Sequence, residues 1–130
     1  MFIRRITIRP TIITDPVYIW GREGMSSDRN TPLAFIEENL DKPWDWETLS
    51  YNDNLTPEFI ERFIDKPWDW MVFYYNDKLI KFEFIEKHVD KDWNWGGLSC
   101  NVIFTPEFIE ENLDKDWNWG RCGLSRHKFI

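Results

Sequence analysis

Two cysteines and two histidines are all that this chain of 130 residues offers to redox or metal chemistry. Cys100 and Cys122 are too few for a disulfide framework and read as reduced thiols. Neither His88 nor His127 has a Cys or carboxylate at zinc-ligand spacing. A catalytic pair of Cys122 and His127 is only a remote alternative. Glycine is scarce, with six residues, and none sits in a phosphate-cradling loop or around a nucleophile elbow. No apolar run approaches the roughly 18 residues that a bilayer span needs. The start, Met1-Phe2-Ile3-Arg4-Arg5-Ile6, lacks an apolar h-region and a small-residue cleavage site, so it reads as part of the fold rather than a signal peptide. The chain is therefore expected to be neither an enzyme nor a cofactor or metal protein, and no membrane segment is expected.

Charge is unevenly placed. Residues 1–29 hold five Arg against three acids, whereas residues 30–130 hold 11 Lys or Arg against 20 Asp or Glu. So acidic a body repels phosphate backbones and argues against nucleic acid as the main partner. Only Arg4, Arg5, Arg9, Arg22 and Arg29 keep that reading open.

Tryptophan is what the chain has in excess. Eight of its nine Trp lie in four copies of one phrase. Asp41-Lys42-Pro43-Trp44-Asp45-Trp46 returns as Asp65-Lys66-Pro67-Trp68-Asp69-Trp70. It returns again as Asp90-Lys91-Asp92-Trp93-Asn94-Trp95 and Asp114-Lys115-Asp116-Trp117-Asn118-Trp119. The spacings of 24, 25 and 24 residues are those of a stacked repeat protein. The copies delimit repeats 31–55, 56–80, 81–104 and 105–130 in a single domain.

Each repeat opens on a short helix. Thr56-Pro57-Glu58-Phe59-Ile60-Glu61 and Thr105-Pro106-Glu107-Phe108-Ile109-Glu110 place an N-cap Thr before an N1 Pro. Thr31-Pro32 begins the first copy with one extra residue, and Lys81-Phe82 begins the third without the pair. Phe59, Ile60, Phe63 and Ile64 share one helical face. The same face recurs as Phe35, Ile36, Leu40, then Phe84, Ile85, Val89, then Phe108, Ile109, Leu113. The helix is expected to run about nine residues and to stop at the Asp-Lys-Pro turn, where Pro43 and Pro67 disfavour helical geometry before them.

Trp-x-Trp alternates like a strand, but the middle residue is Asp45, Asp69, Asn94 or Asn118, and these are helix caps. We read a second helix starting at the second Trp, with Leu49, Phe73 and Leu98 one turn on. Asn52, Asn76 and Asn101 would end it in the left-handed conformation. The fold expected is mainly α: an α-solenoid of short helical hairpins. Trp44, Trp46, Trp68, Trp70, Trp93, Trp95, Trp117 and Trp119 would form its structural core. A strand-plus-helix solenoid is the alternative.

Residues 15–30 read as a degenerate capping half-repeat. Asp15-Pro16-Val17-Tyr18-Ile19-Trp20 keeps the Asp-to-Trp spacing, and Trp20-Gly21-Arg22-Glu23-Gly24-Met25-Ser26 parallels Trp119-Gly120-Arg121-Cys122-Gly123-Leu124-Ser125. Residues 1–14 alternate as a strand, whose edge calls for a partner such as a second copy.

Taken together, the phrase, the following Leu-Ser-x-Asn and the upstream Thr-Pro-Glu-Phe-Ile-Glu resemble the tryptophan-rich short repeats in uncharacterised proteins of giant DNA viruses of amoebae. The resemblance covers about residues 31–127. It implies an intracellular setting, the host cytoplasm or the virion, and carries no catalytic residues to transfer. The last repeat departs from it by two residues before Leu124-Ser125.

The function expected is a repeat scaffold for protein–protein interaction, with a homodimer, a higher oligomer or a filament as the alternative outcome. The positions that vary between repeats are Glu47-Thr48, Met71-Val72 and Gly96-Gly97. The apolar run Met71, Val72, Phe73, Tyr74, Tyr75 is the candidate contact patch. Regular acids Asp41, Asp65, Asp90 and Asp114, each beside a Lys, read as a solvated row rather than a calcium site.

Overall fold

A computed structural model describes residues 15–76, 79–120 and 123–124. The expected strand of residues 1–14, with Arg4, Arg5 and Arg9, lies outside these residues, as do Cys122, His127 and the tail to Ile130. Among the described residues all regular structure is helical and there is no strand. Trp-x-Trp runs irregularly into a helix instead of pairing with a neighbour. No helix there is long and apolar enough to cross a membrane.

Two compact units share the chain: Met1–Leu55 with Arg62–Trp68, and Thr56–Glu61 with Asp69–Ile130. The first contains α1 (Pro16–Trp20), a 3-10 turn at Met25–Ser27, α2 (Leu33–Glu38) and α3 (Trp46–Leu49). Helix α4 (Pro57–Arg62) is divided between the units. The second unit continues with a 3-10 helix at Trp70–Tyr75, α5 (Phe82–Lys87), α6 (Trp95–Asn101) and α7 (Pro106–Glu111).

The Thr-Pro starts behave as capping chemistry requires. Thr56 Oγ1 accepts the Phe59 N–H and Thr105 Oγ1 accepts the Phe108 N–H, both at 3.1 Å. Thr31 does not. The extra residue moves the helix start to Leu33 with Pro32 at the cap, and buried Thr31 donates its hydroxyl to Met25 O at 3.1 Å.

These helices are six residues long, not nine. The reason is a carbonyl that the next turn cannot use. The indole Nε1 of Trp44, Trp68, Trp93 and Trp117 donates at 2.8–2.9 Å to the carbonyl of Asn39, Phe63, His88 and Asn112 respectively. The backbone N–H of Lys42, Lys66, Lys91 and Lys115 donates to the same four carbonyls at 3.0–3.2 Å. Both lone pairs of the carbonyl are thus taken, and the chain turns away. Leu113 consequently leaves the helical face and stands 61% exposed, against its expected place in the core.

The second helix type starts where expected. Asp45 accepts the Thr48 N–H at 3.1 Å to cap α3, and Asn94 accepts the Gly97 N–H at 2.9 Å to cap α6. Asp69 makes no side-chain cap, and the segment behind it winds as a 3-10 helix. Leu49, Phe73 and Leu98 are all buried. No described non-glycine residue has a positive φ, so the asparagines do not end these helices in left-handed geometry. Asn52 and Asn76 act through their side-chain oxygens instead, accepting the N–H of Asn54 and Leu79.

Candidate functional site: tryptophan junctions and their grooves

One junction recurs in both units, and it is built from the turn upward. After the shared carbonyl, the N–H of Trp44, Trp68, Trp93 and Trp117 reaches back two residues to the Lys carbonyl at 2.8–2.9 Å. That is a three-residue turn centred on Pro43, Pro67, Asp92 and Asp116. The turn sets Lys and Trp side chains against one ring, the second Trp of the preceding phrase. In the first unit Trp44 meets Trp20 edge-on at 5.2 Å and Trp68 meets Trp46 at 5.1 Å. In the second unit Trp93 meets Trp70 at 5.2 Å and Trp117 meets Trp95 at 5.1 Å. Edge-to-face contacts at this distance suit the ring quadrupole.

Each junction carries a cation as well. Lys42, Lys66, Lys91 and Lys115 place Nζ at 5.6, 5.3, 5.5 and 5.7 Å from the centroids of Trp20, Trp46, Trp70 and Trp95. These are cation–π contacts. Asp41 and Asp114, both exposed, lean on the same lysines at 3.8 and 3.7 Å. Sequence reasoning saw the lysine only as a neighbour of the acidic row. Its presence in all four phrases was the available signal.

A buried serine closes the junction, and it too escaped the sequence reading. Ser99 Oγ donates to Trp95 O at 2.7 Å and accepts the Asn118 N–H at 3.1 Å. Ser26 Oγ donates to Trp20 O and accepts the Asp45 N–H at 2.9 Å. Ser50 Oγ likewise donates to Trp46 O at 3.0 Å.

Seven of the eight predicted core tryptophans are buried. Trp44, Trp46, Trp68, Trp70, Trp93, Trp95 and Trp117 are each at most 8% exposed. Trp119 is not core: it is 49% exposed. Among the described residues no Lys or Trp covers it in the way that Trp46, Trp70 and Trp95 are covered.

The junctions floor two open grooves of like register. In the first unit Val17, Arg22, Pro43, Glu47 and Pro67 surround Trp44, Asp45 and Trp46, enclosing about 490 Å³. In the second, Met71, Asp92, Gly96, Asp114, Lys115 and Asp116 surround Trp93, Asn94 and Trp95, enclosing about 650 Å³. The turn residue and the residue after the second Trp line both, so the framework is constant and the rim chemistry differs. Proline, Val17 and an arginine facing Glu47 rim the first groove; three carboxylates, a lysine and a methionine rim the second.

The apolar run is split by the 3-10 helix. Met71 is 44% and Tyr75 is 49% exposed, Val72 and Tyr74 are half-buried, and Phe73 is buried against Trp70. Tyr74 is partly occupied, because its ring fills the space over Gly97, where a Cβ would stand 2.3 Å from it. Gly97 is thus a packing position rather than a readable surface.

Charge is paired along the first helices. Arg62 pairs with Glu37 in the first unit. In the second, Glu61 meets His88 Nε2 at 2.9 Å and Lys87 Nζ at 3.5 Å. The His88 hydrogen bond holds the Glu61 carboxyl below the usual glutamate range; slight burial opposes it, and the charges of His88 and Lys87 reinforce it. Arg22 and Arg29, the described members of the basic set, contact Asp45 at 3.1 Å and Asp53 at 3.1 Å. Among the described residues no three His, Cys, Asp or Glu side chains gather as a metal site. Cys100 is half-buried, and its Sγ accepts from Asn118 Nδ2 at 3.7 Å.

No protein-family model, curated protein or solved structure matches the chain.

Proposed function

We propose that the chain is a non-enzymatic scaffold of stacked helical hairpins, a solenoid that holds a protein partner in the grooves over its tryptophan turns. One observation carries this reading. The same groove floor recurs in the two units while its rim changes from Pro43, Arg22 and Pro67 to Asp92, Met71 and Asp116. A constant frame with a variable rim is how repeat proteins separate stability from recognition. Exposed Met71 adds an adaptable apolar contact. The resemblance to giant-virus repeats supports the host cytoplasm or the virion as the setting of this scaffold.

Site-specific photo-crosslinking tests it. A crosslinker at position 71 is expected to capture a defined protein that one at Glu86, on the helix surface, does not. Equal or absent capture at the two positions refutes the groove as the binding face.

Self-assembly is the second reading, favoured by the exposure of Trp119. Light scattering over a concentration series separates the two. A mass fixed at one chain supports the scaffold, and a mass that grows with concentration supports assembly. Nucleic-acid binding draws least support, since Arg22 and Arg29 are both ion-paired.

A further inference from the structure

The groove of the second unit differs from its counterpart in the first in two ways that bear on what it can hold. One is clearance. The residue after the second Trp lines both grooves, as Glu47 in the first and Gly96 in the second. Beyond its own helix and chain neighbours, a Cβ on Gly96 would meet Asn94 Oδ1 and the Asp116 carbonyl oxygen, each at an ordinary 3.7 Å. Packing therefore does not demand glycine there, in contrast to Gly97, where a Cβ would stand 2.3 Å from Tyr74. The missing side chain leaves space in a groove of about 650 Å³, within the roughly 300–1,000 Å³ usual for ligand sites.

The other is charge. Pro43 and Pro67 centre the turns that line the first groove, whereas exposed Asp92 and Asp116 centre those of the second, with exposed Asp114 beside them. In the first groove Arg22 already meets Asp45 at 3.1 Å and Glu47 at 3.8 Å. In the second the lining cation is Lys115, and it is engaged: its Nζ lies 5.7 Å from the Trp95 ring centroid and 3.7 Å from Asp114. Among the described residues Asp92 and Asp116 have no ion pair. Nor do the carboxylates gather closely enough among those residues to hold a metal ion. Spread along a groove rather than drawn to a point, they suit several cations carried on one chain.

We infer that the groove of the second unit takes a basic segment of a partner protein, whose Lys or Arg side chains pair with Asp92 and Asp116 and occupy the space over Gly96. The inference rests on the scaffold reading and names the chemistry of its partner. The same segment has no place in the first groove, where prolines stand at the turn positions and Arg22 supplies the cation from within. A nucleic acid is the wrong occupant, because its phosphates would meet the carboxylates.

The test is a titration of the full ¹⁵N-labelled chain, at low salt, with an acetylated and amidated Arg-Gly-Arg-Gly-Arg peptide. Saturable shifts are expected at the Asp92, Gly96 and Asp116 amides, with the Glu47 amide unmoved, and added salt should weaken the binding by screening. Asp92→Asn and Asp116→Asn should each weaken it about 1.5- to 5-fold, the worth of one exposed ion pair. Gly96→Met fills the groove and should abolish the shifts. Glu47 and Met71 stand at the same register in other repeats, so the melting temperature of that variant should not fall, which separates lost docking from lost folding.

Four results overturn the inference: no saturable shift at millimolar peptide, shifts as large at Glu47 or spread over every exposed acid, equal binding by a peptide with Gln in place of each Arg, or the same shifts from calcium chloride alone. The last would make the groove an ion site. Photo-crosslinking at position 71 fails or succeeds independently. A captured protein with no basic segment would leave the scaffold reading standing and remove this one.

Discussion

Replacing Ser99 by Ala removes one oxygen from a site that is 0% exposed. The volume change is slight, so the cost is almost wholly one of hydrogen bonding. On the donor side, Ser99 Oγ reaches the carbonyl of Trp95 within the same helix at 2.7 Å. Such a back-bond contributes little. On the acceptor side the same oxygen takes the Asn118 backbone N–H at 3.1 Å, from 19 residues away. Losing it strips a partner from a donor with little access to water, at about 1–3 kcal/mol. Ser27 is the control: its hydroxyl bonds Gly24 O at 2.7 Å but is exposed, so Ser27→Ala should stay within about 0.5 kcal/mol. Urea denaturation followed by tryptophan fluorescence measures both variants, and amide exchange at Asn118 reports the bond itself. A Ser99→Ala chain as stable as the parent, with Asn118 exchange unchanged, would refute the serine as a tie between junctions.

Other outcomes follow from the same geometry. Trp95→Ala should cost about 3–5 kcal/mol by emptying a covered position, whereas Trp119→Ala should fall within about 0.5 kcal/mol; parallel urea midpoints decide. Gly97→Ala drives a Cβ to 2.3 Å from the Tyr74 ring and should cost about 1–3 kcal/mol, most of it recovered in a Tyr74→Ala background by a double-mutant cycle. Glu111 occupies the position at which Arg62 and Lys87 pair with a preceding glutamate, so Glu111→Lys should gain about 0.2–1 kcal/mol by facing Glu86, read as a raised urea midpoint that salt diminishes. Because Glu61 has a lowered pKa, its contribution is complete above the ordinary glutamate value of 4.5 and is lost as pH falls below it through the lowered folded value; His88→Ala should move the Glu61 carboxyl titration back up toward 4.5 in a carbon-detected NMR series.

What the sequence displayed was local chemistry, and what it hid was the neighbour. Thr56, Thr105, Asp45 and Asn94 all cap as their side chains and positions demand, and Leu49, Phe73 and Leu98 are buried one turn on. Capping is decided within four residues, so a single chain reveals it. The length of the first helices was misjudged because their last carbonyl is taken by an indole five residues ahead, and hydrophobic periodicity carries no information on that. Trp119 was misjudged for the opposite reason. Its surroundings in sequence match those of Trp95, and what distinguishes Trp95 is the cover of Trp117 and Lys115, which lies outside its own phrase. Of the candidate contact residues, Met71 and Tyr75 are exposed, whereas half-buried Tyr74 is engaged with Gly97, a constraint visible only once the two stand together.

The direction of the covering contacts has a consequence for synthesis. Trp20, Trp46, Trp70 and Trp95 are each covered by a Trp and a Lys about two dozen positions later in the chain. Leaving the ribosome, the chain can complete each junction as soon as the next turn emerges, and only the newest indole waits for its cover. Contacts of such short sequence span favour fast folding. Little apolar surface then accumulates during translation, and that surface is what chaperones and aggregation compete for.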